Sequence, residues 1–76
     1  MLAAALEHLV KGIVDHPDDV RIDETTSSRG DVLEVHVASD DRGRVIGRGG
    51  RTAKSLRTVV KALAADRRVR VDVADD

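Results

Sequence analysis

Three of the four residues from Gly47 to Gly50 are glycine, and neither a helix nor a strand runs through such a stretch. The chain must turn there, so the residues on either side belong to separate elements. Downstream, Ala53, Leu56, Val59, Val60, Leu63 and Ala64 share one face of a helix from about Arg51 to Ala65. Upstream, a short helix spans Arg42 to Ile46, with Ser39, Asp40 and Asp41 available to cap it.

The rest of the chain reads by the same two periods. Leu2, Leu6, Leu9, Val10 and Ile13 form the stripe of an N-terminal helix, which Pro17 is expected to stop. Val20 and Ile22 alternate with Arg21 and Asp23, and Leu33, Val35 and Val37 alternate with Glu34 and His36. The polar run TTSSRGD between them supplies a turn, with Gly30 free to take positive φ. Val69, Val71 and Val73 alternate with Arg70 and Asp72 in a last strand. The expected order is helix, strand, strand, helix, helix, strand. The simplest packing is an α+β layer structure over residues 1–76 as a single domain, a three-stranded mixed sheet with the helices packed on one face. The two-helix crossover makes one strand pair parallel.

With no Phe, Tyr, Trp or Cys, the core must be Val, Leu, Ile and Ala, drawn from the 41% of residues that are hydrophobic. No disulfide or thiolate metal site can reinforce it, which fits a reducing cytoplasm. The run MLAAALEHLV is interrupted by Glu7 and His8 and has no basic leader, so it reads as an amphipathic helix and not a signal peptide. No stretch approaches membrane-spanning length, and no membrane partner is expected.

Net charge is −1, but it is unevenly spread. Residues 1–41 hold three cations and ten acids, a net of −7, whereas residues 42–70 hold ten cations and one acid, a net of +9. Arg48, Arg51 and Lys54 sit at or just inside the start of the second long helix, where cations oppose the helix dipole by a few tenths to about 1 kcal/mol each. An anion lodged in the glycine turn reverses the sign of that cost, since bare backbone N–H groups and a positive helix end both face it. A nucleotide P-loop is excluded because Ala53 precedes Lys54-Ser55 and Arg48 stands where the first glycine belongs. A dinucleotide-binding fold needs G-x-G-x-x-G directly after a strand and a longer parallel sheet. What remains is G-x-x-G between two helices, preceded by the apolar pair Val45-Ile46.

The stretch VIGRGGRTAKSLRTVVKAL resembles the signature of a KH domain: an apolar pair, GXXG, then an amphipathic helix. With the helix-strand-strand-helix-helix-strand order, the whole chain resembles the small bacterial KhpA family of type II KH domains. Gly49 departs from the pattern, because family members often carry a polar side chain there. The resemblance implies a loop of Gly47, Arg48, Gly49 and Gly50 that clamps the backbone of about four nucleotides of single-stranded RNA. It implies a groove wall from Val45 and Ile46, phosphate contacts from Arg51 and Lys54, and weaker ones from Arg44, Arg57 and Arg70. It also implies homodimers, and heterodimers with a larger Jag-type KH-containing protein. The lack of aromatic residues argues against RRM and OB-fold platforms, whose bases stack on rings.

Other residues read as structural. His8, His16 and His36 have no ligand spacing and are expected at the surface or at edges, so no metal is expected. Lys54 and Ser55 have no neighbouring base to activate a nucleophile, so no catalytic residue and no cofactor is expected. Asp18, Asp19, Asp40 and Asp41 read as turn and cap residues. Val59, Val60 and Leu63 belong to the core or to a dimer interface, since a chain of 76 residues with this much apolar surface invites a partner. Two functions stand: a non-enzymatic RNA-binding protein acting in post-transcriptional regulation, with little base preference, and an assembly module for protein contacts.

Overall fold

A computed structural model describes residues 1–75. It contains α1 (Leu2–Lys11), β1 (Arg21–Ser27), β2 (Gly30–His36), α2 (Arg42–Ile46), α3 (Arg51–Ala64) and β3 (Val69–Val73), the order expected. β2 is central, antiparallel to β1 and parallel to β3. The parallel pair follows from the α2–α3 crossover, which returns the chain to the same end of the sheet. Alternation along β2 and β3 buries Leu33, Val35, Val69 and Val71 while Glu34 and Arg70 stay exposed. The helices cover that buried face, with Leu6 and Val10 of α1 and Leu56 and Val60 of α3 in one aliphatic cluster with the strands.

Three local expectations need correction. Proline does not stop α1, which ends at Lys11; the chain continues in irregular turns through Gly12 to Val14, and burial of Val14 in the core sets the new direction. Pro17 instead opens a short 3₁₀ turn, Pro17–Asp19, where its missing N–H costs nothing. The polar run is not all turn either. Thr25, Thr26 and Ser27 extend β1, paired with Val32, Asp31 and Gly30, and only Ser28 and Arg29 are left to reverse the chain. β-Branched threonine suits a strand with one exposed face. Gly30 does take positive φ, at +124°, and an added Cβ there would lie 2.7 Å from Arg68 Cβ and from its carbonyl oxygen.

The third correction is Asp41. Ser39–Asp41 form a 3₁₀ turn leading into α2, yet no side chain caps that helix. The Asp41 carboxylate, 1% exposed, reaches across to the α1–β1 connection. It accepts hydrogen bonds from the N–H of Asp15 at 3.1 Å and of His16 at 3.0 Å, and meets His16 Nδ1 at 3.0 Å. A residue read as a local cap thus ties two segments about 25 positions apart.

Candidate functional site

The glycine turn joins α2 to α3 through a short 3₁₀ turn, Arg48–Gly50. Gly47 has φ +80° and ψ 168°, a conformation essentially restricted to glycine. A Cβ at Gly47 would also lie 2.3 Å from Thr52 Oγ1 and 2.8 Å from its backbone nitrogen, so the first turn of α3 packs directly beneath it. Gly49 and Gly50 are left-handed too, with φ +65° and +76°, but nothing lies within 4 Å of an added Cβ at either. The loop is therefore anchored at Gly47 and open at Gly49 and Gly50. No side chain caps α3 and no acid lies in its first turn, so the first N–H groups face outward unanswered by protein side chains.

Ion pairing divides the basic stretch into two sets. Arg42 pairs with Asp75, Arg44 with Asp15 at 3.3 Å, Arg67 with Asp31, and Arg70 with Asp72 at 2.9 Å. The Arg70 contact, by hydrogen bond and by charge, raises the guanidinium pKa further above its ordinary value. Arg57 donates from Nε to the Val71 carbonyl at 2.9 Å, bracing α3 against the outer edge of β3. Arg48, Arg51 and Lys54 are exposed and make no ion pair among the described residues. Of the cations without an ion pair in this stretch, Arg48, Arg51 and Lys54 cluster beside the glycine turn, whereas Lys61 lies near the far end of α3 and Arg68 beyond it. Nothing in their sequence spacing separates them from their paired neighbours.

Beside the turn lies an open groove of about 550 Å³, lined on one side by Ile46, Gly50, Ala53 and Arg57 and on the other by Val73, Ala74, Asp75, Asp72 and Glu34. Of the expected apolar pair, Ile46 faces this groove at 38% exposure, whereas Val45 is fully buried and supports the wall from within. Arg44 and Arg70 lie outside the groove lining. The strand-side wall, with the carboxylates of Glu34, Asp72 and Asp75, has no signal in the local sequence; only the parallel pairing of β2 with β3 brings Glu34 beside Asp72. On α3, Val60 is fully buried, but Val59 and Leu63 are 43% and 57% exposed and one helical turn apart.

Two histidines acquire partners that spacing did not reveal. His16 is tied to Asp41 as above; the hydrogen bond and charge of Asp41 hold its imidazole above the ordinary 6.5. Burial raises the Asp41 carboxyl, but bonds from the Asp15 N–H and from His16 outweigh it and hold the carboxyl below its ordinary value. His36 Nε2 stands 3.0 Å from Asp23 Oδ2 and 2.9 Å from Glu34 Oε1. Asp23 and Glu34 face each other across β1 and β2, with the His36 ring nitrogen between their carboxylates. One imidazole and two carboxylates within 4.8 Å also form a donor set able to hold a divalent cation, a convergence of residues 23, 34 and 36 that the hairpin register creates.

The glycine turn between two short helices, the uncapped basic helix start and the groove closed by a parallel strand together match one known pattern. The KhpA/KhpB KH-domain profile matches residues 3–74. This chain belongs to that family. The "RNA-binding protein KhpA" of Leifsonia xyli is 71% identical over 76 residues, covering all of both chains. The protein of the same name from Mycobacterium tuberculosis is 63% identical over 71 residues, 93% of this chain and 88% of that one. That of Halalkalibacterium halodurans is 50% identical over 72 residues, 92% of this chain and 95% of the other. No solved structure matches the chain. Among the described residues no helix is long and apolar enough to cross a membrane.

Proposed function

We propose that this protein binds single-stranded RNA without catalysing a reaction, holding the RNA backbone on the Gly47–Gly50 turn and the bases in the adjoining groove. The observation that carries this reading is the placement of the unpaired cations. Arg48, Arg51 and Lys54 surround an uncapped helix start and an open glycine turn, while the other basic residues near the groove are already paired or bonded. Three free charges at one end of a groove suit a phosphate chain of a few nucleotides. Val45, Gly47 and Gly50 set the shape, Ile46 offers an apolar surface to a base, and Arg57 borders the groove. Arg44 and Arg70, each held by an acid, contribute field only. The names of the relatives support RNA as the ligand, and the reading places the protein in the cytoplasm, in post-transcriptional regulation as an RNA chaperone.

The test is the double substitution Arg48→Asp with Gly49→Asp. Both positions are exposed, Gly49 has open space around it, and aspartate tolerates left-handed backbone better than most residues. Binding of a labelled oligonucleotide should be lost while circular dichroism and the melting temperature stay near those of the parent. Unchanged binding would remove the loop from the RNA site.

A second reading rests on a separate observation, the exposed pair Val59 and Leu63 on α3. This pair gives a homodimer, or a complex with a larger Jag-type KH-containing protein, an apolar contact away from the glycine turn. Val60 serves the monomer's own core instead. Sedimentation of the Val59→Lys, Leu63→Lys variant distinguishes the cases: a shift from dimer to monomer supports the interface, and a parent that is itself monomeric at micromolar concentration excludes the homodimer.

A further inference from the structure

The groove is electrically two-sided. Its helix side carries Arg57 and adjoins Arg48, Arg51 and Lys54, while its strand side carries Glu34, Asp72 and Asp75. Glu34 and Asp72 are register partners on adjacent parallel strands, so their side chains emerge about 4.8 Å apart from the sheet face that the helices leave open, and both line the groove beside β3. Each is held on one oxygen by a neighbouring side chain: His36 Nε2 meets Glu34 Oε1 at 2.9 Å, and Arg70 Nε donates to Asp72 Oδ2 at 2.9 Å. The second oxygen of each has no hydrogen bond among the described residues. Phosphates are repelled from such a wall, so a strand held on the glycine turn must direct its bases, not its backbone, toward Glu34 and Asp72.

An ionised carboxylate only accepts hydrogen bonds. The bases differ in what they can give it. Guanine offers two adjacent donors, N1–H and N2–H, beside the acceptor O6, and Arg57 stands across the groove as a donor for that oxygen. Adenine and cytosine each offer one exocyclic amine next to a ring acceptor. Uracil offers a single N3–H flanked by two carbonyl oxygens, both of which a carboxylate repels. We propose that Asp72 and Glu34 select the base at this position, with guanine preferred and uracil disfavoured. This rests on the RNA-binding reading above and adds to it a specificity that the glycine turn, which meets only backbone, does not supply.

Fluorescence anisotropy with the full chain tests it, using a labelled U6 hexamer, the same hexamer with one central guanosine, and the same with inosine, which lacks the N2 amine. A good bidentate contact discriminates by roughly fivefold or more. The guanosine hexamer should therefore bind at least about fivefold tighter than U6, with inosine in between. In the isosteric Asp72→Asn, Glu34→Gln variant, the guanosine-to-U6 ratio should fall to near one, even though removing two negative charges strengthens binding of both. Equal binding of the guanosine and U6 hexamers by the parent protein would overturn the inference while leaving RNA binding intact. Discrimination that survives in the variant would equally overturn it. Failure of the parent to bind any hexamer would bring down the RNA-binding reading and this inference with it.

Discussion

Gly47 and Gly49 stand two positions apart in one turn and tolerate change very differently. At Gly47 both the backbone region and the nearness of Thr52, whose Oγ1 and backbone nitrogen an added Cβ would strike, exclude a side chain. Replacing Gly47 with Ala should cost on the order of 1–3 kcal/mol from backbone strain, more with the clash. Gly49 sits in the ordinary left-handed region with open space, so Gly49→Asn should shift stability by only a few tenths of a kcal/mol. Urea titration of the two variants measures the contrast, and equal midpoints would mean the turn is not built on Gly47. A pH dependence is set by the other singular residue, Asp41. His16 has a raised pKa in the folded protein, with Asp41, Asp19 and Asp15 all favouring its charged form. A raised value means the contribution is fully present below the ordinary pKa of 6.5 and is lost as pH rises through the folded value. Asp41 has a lowered value, so its contribution is present at neutral pH and lost only as pH falls through the acid range. The melting temperature should therefore decline as pH rises above about 6.5, and His16→Asn should flatten that decline. A parent whose melting temperature is level over that rise would show that the clasp does not titrate there.

At the scale of elements, strict periodicity made most of the fold legible. β3 and α3 match their expected spans almost residue for residue because Val69, Val71 and Val73 alternate and the α3 stripe is broken by no glycine or proline. The end of α1 was illegible because burial of Val14, and not a breaker, redirects the chain. The extent of β1 was illegible because Thr and Ser serve turns and exposed strands alike, and cross-strand register decided between them. Of the site, the glycine turn could be read directly. The strand wall of the groove and the split between free and paired arginines could not, since both depend on which acids the fold brings near. The link between α3 and β3 also carries a strained point. Ala65, directly after α3, has φ 57° and ψ −114°, the only positive φ outside glycine among the described residues. Ala65→Gly should relieve that strain and stabilise the protein by about 1 kcal/mol, despite glycine's greater unfolded-state entropy. The midpoint of thermal or urea unfolding should rise, and a fall would mean Ala65 is not strained in solution.

Across the whole molecule, the ten cations of residues 42–70 make a poor guide to how strongly RNA affinity responds to salt. A cation already neutralised by a neighbouring acid has little counterion exchange to offer, because binding phosphate there means giving up its acid. Arg42, Arg44, Arg67 and Arg70 are in that position, and Arg57, with Nε bonded to the Val71 carbonyl, lines the groove where bases and not phosphates are expected. Lys61 and Arg68 make no ion pair among the described residues but lie outside the groove lining, so the free cations at the turn are Arg48, Arg51 and Lys54, and a clamp for about four nucleotides presents about three linking phosphates to them. For single strands the slope of log affinity against log salt is about −0.7 per phosphate neutralised, so the expected slope is about −2. Raising salt fourfold, from about 50 to about 200 mM, should then weaken binding on the order of 16-fold. If all ten cations took part, the slope would approach about −7 and binding would vanish over the same interval. Titrations of one labelled hexamer at four salt concentrations separate these cases. A slope steeper than about −5 would mean the paired arginines open to receive RNA. A slope near zero would mean that phosphate is not what the glycine turn holds. The intermediate value ties the molecule's reach for RNA to three side chains, with the paired arginines holding the fold together.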